Sequence, residues 1–96
     1  MFFGEIEFRT GDSHSIIDNE TKKRINMAQN IEVGNHVWIG ARSIILKGVS
    51  IGNNSIIGTN SIVTKNIPSH SVAAGIPAKV VKNNIDWVRT RIYDEI

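Results

Sequence analysis

Three histidines, His14, His36 and His70, are the only side chains in this sequence with an ordinary pKa near neutrality, about 6.5. Each is a candidate proton acceptor or metal ligand. A three-histidine metal site on stacked strands needs a close pair, and the sequence has no HxxxxH, so no metal is expected. His14 stands in "GDSHSIIDNETKKRINMAQN", a polar stretch that reads as a loop, and loops on rigid scaffolds are where function concentrates. His36 follows "GN" and His70 lies in "PSHS"; both read as exposed turn residues. The chain has no cysteine, which excludes a disulfide framework, a thiolate metal site and a cysteine nucleophile.

The elements that must position these groups follow from a period of six. Val33, Ile39, Ile45, Ile51, Ile57 and Val63 recur without a slip, followed by Gly34, Gly40, Leu46, Gly52, Gly58 and Thr64. Two residues before each aliphatic lie Ile31, Val37, Ser43, Val49, Ser55 and Ser61. Six fits neither an α-helix nor a strand alone, but it fits a short strand that turns three times per lap. The aliphatics point into a triangular prism, and glycine is expected to relieve the backbone at the corners. Three hexads close one coil, and successive coils stack as parallel strands about 4.8 Å apart.

Regular hexads are thus expected over 31–68, with a loop excursion at 11–30. A strand is expected in "FFGEIEFRT", with Ile6 and Phe8 on one face. Residues 69–96 should leave the prism by turns at Pro68 and Pro77. They should end in an α-helix over "NNIDWVRTRIYDEI", capped by Asn84, with Ile85, Val88 and Ile92 on one stripe and Trp87 beside it. Trp38 takes an outward position between Val37 and Ile39, and an exposed indole asks for a partner surface.

Ninety-six residues allow a single domain, 1–96. The formal charge of +2 is too mild to argue for nucleic-acid binding. No apolar run is long enough to span a membrane and no signal-peptide pattern opens the chain, so a cytoplasmic protein is expected.

Three motifs, "TGDSHSI", "NHVWIGARSII" and "GTNSIVTKNIP" with "VAAGIPAKVVK", resemble the hexapeptide-repeat acyltransferases over roughly residues 6–82. The resemblance is nearest to the sugar O-acetyltransferases acting on galactosides, maltose and polysaccharides. It implies an all-β fold, a left-handed parallel β-helix, whose hand departs from the usual crossover rule and comes from the family alone. It also implies acetyl-CoA as co-substrate, a saccharide hydroxyl as acceptor, and direct transfer with no covalent intermediate.

By the same resemblance the general base falls on His14. Asp12, Asp18 or a main-chain carbonyl would orient its imidazole. Acetyl-CoA contacts fall on Ala41, Thr59, Thr64, Lys65, Lys79 and Lys82, with small Gly58 letting the pantetheine arm approach the backbone. Lys79 and Lys82 stand where relatives often carry arginine. They keep the charge for the phosphates but lose the bidentate fork. Trp38 would wall the acetyl pocket, a role compatible with a place at a subunit interface.

The early coils of such enzymes have no counterpart here. The chain is therefore expected to be an N-terminal truncation, or its open end is covered by another subunit. A homotrimer with active sites between subunits is the assembly the family implies. The other function class is a truncated, non-catalytic β-helix module that retains part of the coenzyme A site. Acylation of an amine is a weaker third.

Overall fold

The computed structural model describes residues 4–11 and 16–90. Nine short strands follow one another: β1 (Glu7–Arg9), β2 (Glu32–Val33), β3 (Trp38–Ile39), β4 (Ile44–Leu46), β5 (Ser50–Ile51), β6 (Ile56–Ile57), β7 (Ile62–Val63), β8 (Val72–Gly75) and β9 (Ala78–Lys82). Consecutive strands never pair until the last two. Instead β2 pairs with β5, β3 with β6 and β6 in turn with β8, and β1 with β4 and β4 in turn with β7, all in parallel. The pairings Glu32↔Ser50, Trp38↔Ile56 and Ile44↔Ile62 fix a lap of three hexads. Three flat faces of a prism result: face one (β2, β5), face two (β3, β6, β8, β9) and face three (β1, β4, β7).

The core is the expected ladder. Ile39, Ile45, Ile51, Ile57 and Val63 are buried, as are Val37, Val49 and the serines Ser43, Ser55 and Ser61. Aliphatic stacking excludes water from the prism, and the buried hydroxyls are all satisfied. Ser55 Oγ donates to the Pro68 carbonyl at 2.9 Å and Ser61 Oγ to the Gly58 carbonyl at 2.7 Å. Phe8 pairs with Ile45 and continues its inward column.

The role expected of the glycines is corrected. The backbone of Gly34, Gly40, Gly52 and Gly58 is not left-handed; the positive φ values recur one residue set further on, at His36, Arg42, Gly48, Asn54, Asn60 and His70. These are the corner residues, and asparagine and histidine tolerate that conformation better than most. Gly40 is required by stacking instead: a Cβ there would lie 2.5 Å from the Thr59 nitrogen in the next lap.

The last lap is shorter. Ile51 bridges to Ile67, and Ile57 pairs with Ala73, so the offset falls from 18 residues to 16. The lost residues come from the corner that holds Thr64 and Lys65, which has no left-handed residue. Chain direction then reverses at Ile76-Pro77, and antiparallel β9 closes the edge of face two.

The expected terminal helix is absent from residues 83–90, and residues 91–96 lie outside the described part. Asn84 is not an N-cap: its φ is +55°, left-handed, where a cap residue is extended. The segment is held to the prism by tertiary bonds that compete with helical ones. The Ile85 amide donates to the His70 carbonyl at 2.9 Å, and Trp87 Nε1 donates to the His36 carbonyl at 2.9 Å.

Candidate active site

The candidate acetyl-CoA contacts each belong to a face or a corner. Trp38 begins β3 on face two, half-buried, in a rank that runs across Ile56 and Val72 to Lys82. Two positions behind this rank run Gly40, Gly58, Ala74 and Lys79, at the corner between faces two and three. Ala41 and Thr59 follow on the same corner, where Asn60 N donates to the Ala41 carbonyl at 2.8 Å. A Cβ on Gly58 would lie 2.9 Å from Ala74 Cβ, so small side chains are forced along this edge by coil stacking. Backbone is thereby left bare for a thin ligand. Lys79 and Lys82 are exposed on β9 at the end of the same face.

Thr64 and Lys65 are not brought to that edge. Both are exposed at the shortened corner between faces three and one. The excursion leaves from this third corner. Gln29 N donates to the Thr10 carbonyl at 2.8 Å, closing its base, and the Gln29 side chain covers Gly48 one lap on. His14 and Asp12 lie outside the described residues.

A short hairpin follows His14 in the chain. Ile17 bridges antiparallel to Arg24, and Ile25 N donates to the Ile16 carbonyl at 2.8 Å. Asn26, only 6% exposed, accepts from Ile16 N at 2.6 Å and from Arg24 Nε at 3.0 Å. It thereby fixes the chain two residues after His14. Asp18 builds the turn of the hairpin, its Oδ1 accepting from the Glu20 and Thr21 amides at 2.8 Å each. The backbone bonds from Thr21 and Glu20 hold its carboxyl below the usual value of 3.8.

Two residues here were not legible as contributors. Asn26 looked like one more polar loop residue; a polar side chain spaced to reach back across a hairpin is too common a signal to single out. Trp87, expected beside a helical stripe, packs instead on the corner between faces one and two, its ring stacked 3.8 Å from that of His36 and nearly parallel at 9°. It also contacts Trp38, with ring centroids 5.7 Å apart. Among the described residues no group of three or more His, Cys, Asp or Glu could hold a metal ion, and no helix is long and apolar enough to cross a membrane.

The profile of the family described as "Bacterial transferase hexapeptide (six repeats)" matches residues 30–65, the stretch that forms the regular laps. Over that stretch the chain is similar to this hexapeptide-repeat transferase family. More particularly, it is 49% identical over 90 residues to the polysialic acid O-acetyltransferase of Escherichia coli O1:K1 / APEC, a match covering 94% of this chain and 29% of that protein. Among solved structures, the polysialic acid O-acetyltransferase OatWY superimposes with a TM-score of 0.91 at 39% identity, over 98% of this chain and 45% of that one. A galactoside acetyltransferase in complex with coenzyme A matches with a TM-score of 0.71 at 33% identity, over 93% of this chain and 47% of the other. This chain therefore spans less than half the length of each of these relatives.

Proposed function

We propose that the protein is an acetyl-CoA-dependent O-acetyltransferase acting on a saccharide hydroxyl, with a left-handed coil and His14 as general base. The observation that carries this reading is the edge between faces two and three. There Ala41, Gly58 and Thr59 expose backbone beside Trp38, and the edge leads to the cationic strand of Lys79 and Lys82. A pantetheine arm fits small-residue corners with its amides paired to main chain. The phosphates would meet the lysines as point charges.

In the proposed step, neutral His14 takes the proton of the acceptor hydroxyl as its oxygen bonds to the thioester carbonyl carbon. Collapse of the tetrahedral intermediate breaks the carbon–sulfur bond. The coenzyme A thiolate leaves, and the imidazolium proton neutralises it or passes to solvent. Asp18 is bonded within its own turn, which favours Asp12 or a main-chain carbonyl as the group that orients His14.

The excursion to which His14 belongs and the proposed thioester edge lie at different corners of one prism. A homotrimer, in which the excursion of one protomer meets the second corner of its neighbour, resolves this separation. Outward side chains support such packing. Face two carries Trp38, Ile56 and Val72, and face three carries Ile44 and Ile62, whereas face one carries Glu32, Ser50 and Asn66. In that assembly Thr64 and Lys65 lie on the corner from which the excursion departs and would reach the ligand bound to a neighbour.

Calorimetry with acetyl-CoA, followed by a thiol-release assay with sialic acid polymers, maltose or galactosides, tests the proposal. Acceptor-dependent thiol release is expected. Binding without release from any saccharide would favour the non-catalytic module, and a monodisperse monomer in sedimentation would overturn the shared site.

A further inference from the structure

We propose that residues 83–90 form a strap whose Trp87 positions the indole of Trp38, and so shapes the acetyl end of the thioester site. This rests on the role given to Trp38 above.

The strap descends the first corner, where the left-handed residues His36, Asn54 and His70 stack one per lap. It is fastened at the top by four contacts. Ser71 Oγ donates to Asn83 Oδ1 at 3.2 Å, the Ile85 amide donates to the His70 carbonyl, and His70 Nδ1 lies 3.0 Å from Asp86 Oδ1 and 3.3 Å from the Ile85 carbonyl. Two laps lower, about 10 Å at the usual strand spacing, Trp87 is fastened to His36 by ring stacking and by its Nε1 donor.

Trp87 is 7% exposed, although it belongs to no helix or strand and its neighbours Asp86 and Val88 are exposed. Its outer ring surface leans on Trp38 at a 55° tilt. An aromatic pair at this separation restricts both rings, and the deeper ring here is itself pinned by a stack and a hydrogen bond. Trp38 stands on an outward position of β3, and the ring of Trp87 across the corner is one of the contacts that restrain it. Trp87 is therefore a positioning residue acting through Trp38, with His36 as its seat. This also gives His36 a structural use that its exposed corner position did not suggest.

The chain has only two tryptophans, so an exciton couplet in far-ultraviolet circular dichroism reports this pair alone. The experiment compares the full chain with Trp87→Ala and Trp87→Phe. It measures that couplet, the melting transition, and calorimetric affinities for acetyl-CoA and for coenzyme A. A wild-type couplet is expected, lost in both variants. Trp87→Ala should lower the ratio of acetyl-CoA to coenzyme A affinity about 3- to 10-fold, the scale of one aromatic contact. Coenzyme A affinity itself should hold within about 2-fold, since its contacts lie on another corner. Trp87→Phe keeps a stacking ring, and its ratio should fall between the other two.

Absence of a wild-type couplet would overturn the pairing. An unchanged affinity ratio in a folded Trp87→Ala, or in Trp87→Phe if the alanine variant does not melt cooperatively, would overturn the positioning role alone. A wild type that pairs its tryptophans but binds no acetyl-CoA would sink the transferase reading, and the positioning role with it.

Discussion

In residues 31–68 an inward side chain is buried at nearly every second or fourth position, whereas among the described residues of the excursion only Asn26 is buried. The coil repeats one backbone device, a left-handed corner every six residues, and stacks it until every strand has a neighbour. The excursion uses no repeat. It is held by the Asn26 and Asp18 side chains, by Gln29 at its base, and by a single antiparallel bridge. Four of its apolar side chains, Ile16, Ile17, Ile25 and Met27, are more than half exposed. Regularity gives a rigid edge on which a long ligand can lie. Irregularity lets one segment leave the prism and expose an apolar surface, which on the proposed reading carries the base and meets another chain.

The sharpest break of this contrast is His14→Ala. On the transferase reading it should lower acceptor-dependent thiol release by about 10²–10⁴-fold. Acetyl-CoA affinity, measured by calorimetry, should stay the same because the coil supplies it. A comparable loss of binding would mean that excursion and coil are not separate in function.

Ile57→Ala tests the other side. Ile57 is fully buried between Ile39 and Ala73, so the truncation should cost about 2–5 kcal/mol in denaturant melts. A cost below 1 kcal/mol would show that the stacked ladder is not the stabilising element.

Asn26→Ala is expected to be the mirror image. It leaves the Ile16 amide without its buried acceptor, a local cost of about 1–3 kcal/mol. That cost should appear as faster exchange of the Ile16 amide and slower thiol release, with the global melting midpoint nearly fixed. A shift in the midpoint as large as that of Ile57→Ala would merge the two regions into one cooperative unit.

The smallest effect concerns pH. The carboxyl of Asp18 is held below 3.8 by the backbone bonds from Thr21 and Glu20, so its hold on the turn is present above that value and is lost as pH falls through the lowered pKa. The Glu20 and Thr21 amide resonances should titrate together below pH 3.8, and Asp18→Asn should abolish that titration while keeping the turn at neutral pH.

Much of this architecture was legible in the residues. The six-residue register identified the inward column from Ile39 to Val63 and the outward place of Trp38, because a three-sided coil allows one arrangement of large and small side chains per hexad. Hidden from that register was the shortened last lap. Ile67 continues the column of Ser55 and Ser61 by spacing, and only its pairing with Ile51, from the other inward column, reveals the two missing residues. The terminal segment misled for a related reason. Ile85, Val88 and Ile92 satisfy a helical stripe, but local periodicity carries no information about a carbonyl at His70 waiting for the Ile85 amide.

What the sequence alone determined, then, is the lap, its core and the glycine-lined edge, since each follows from steric rules that act within eighteen residues. Tertiary structure decided which corner each described candidate residue occupies. It separated Thr64 and Lys65 from Ala41 and Thr59, anchored the excursion through Asn26, and folded Trp87 back onto His36. Those outcomes depend on contacts between distant segments, where the free energy of a hydrogen bond or ring stack is settled by three-dimensional fit rather than by neighbours along the chain.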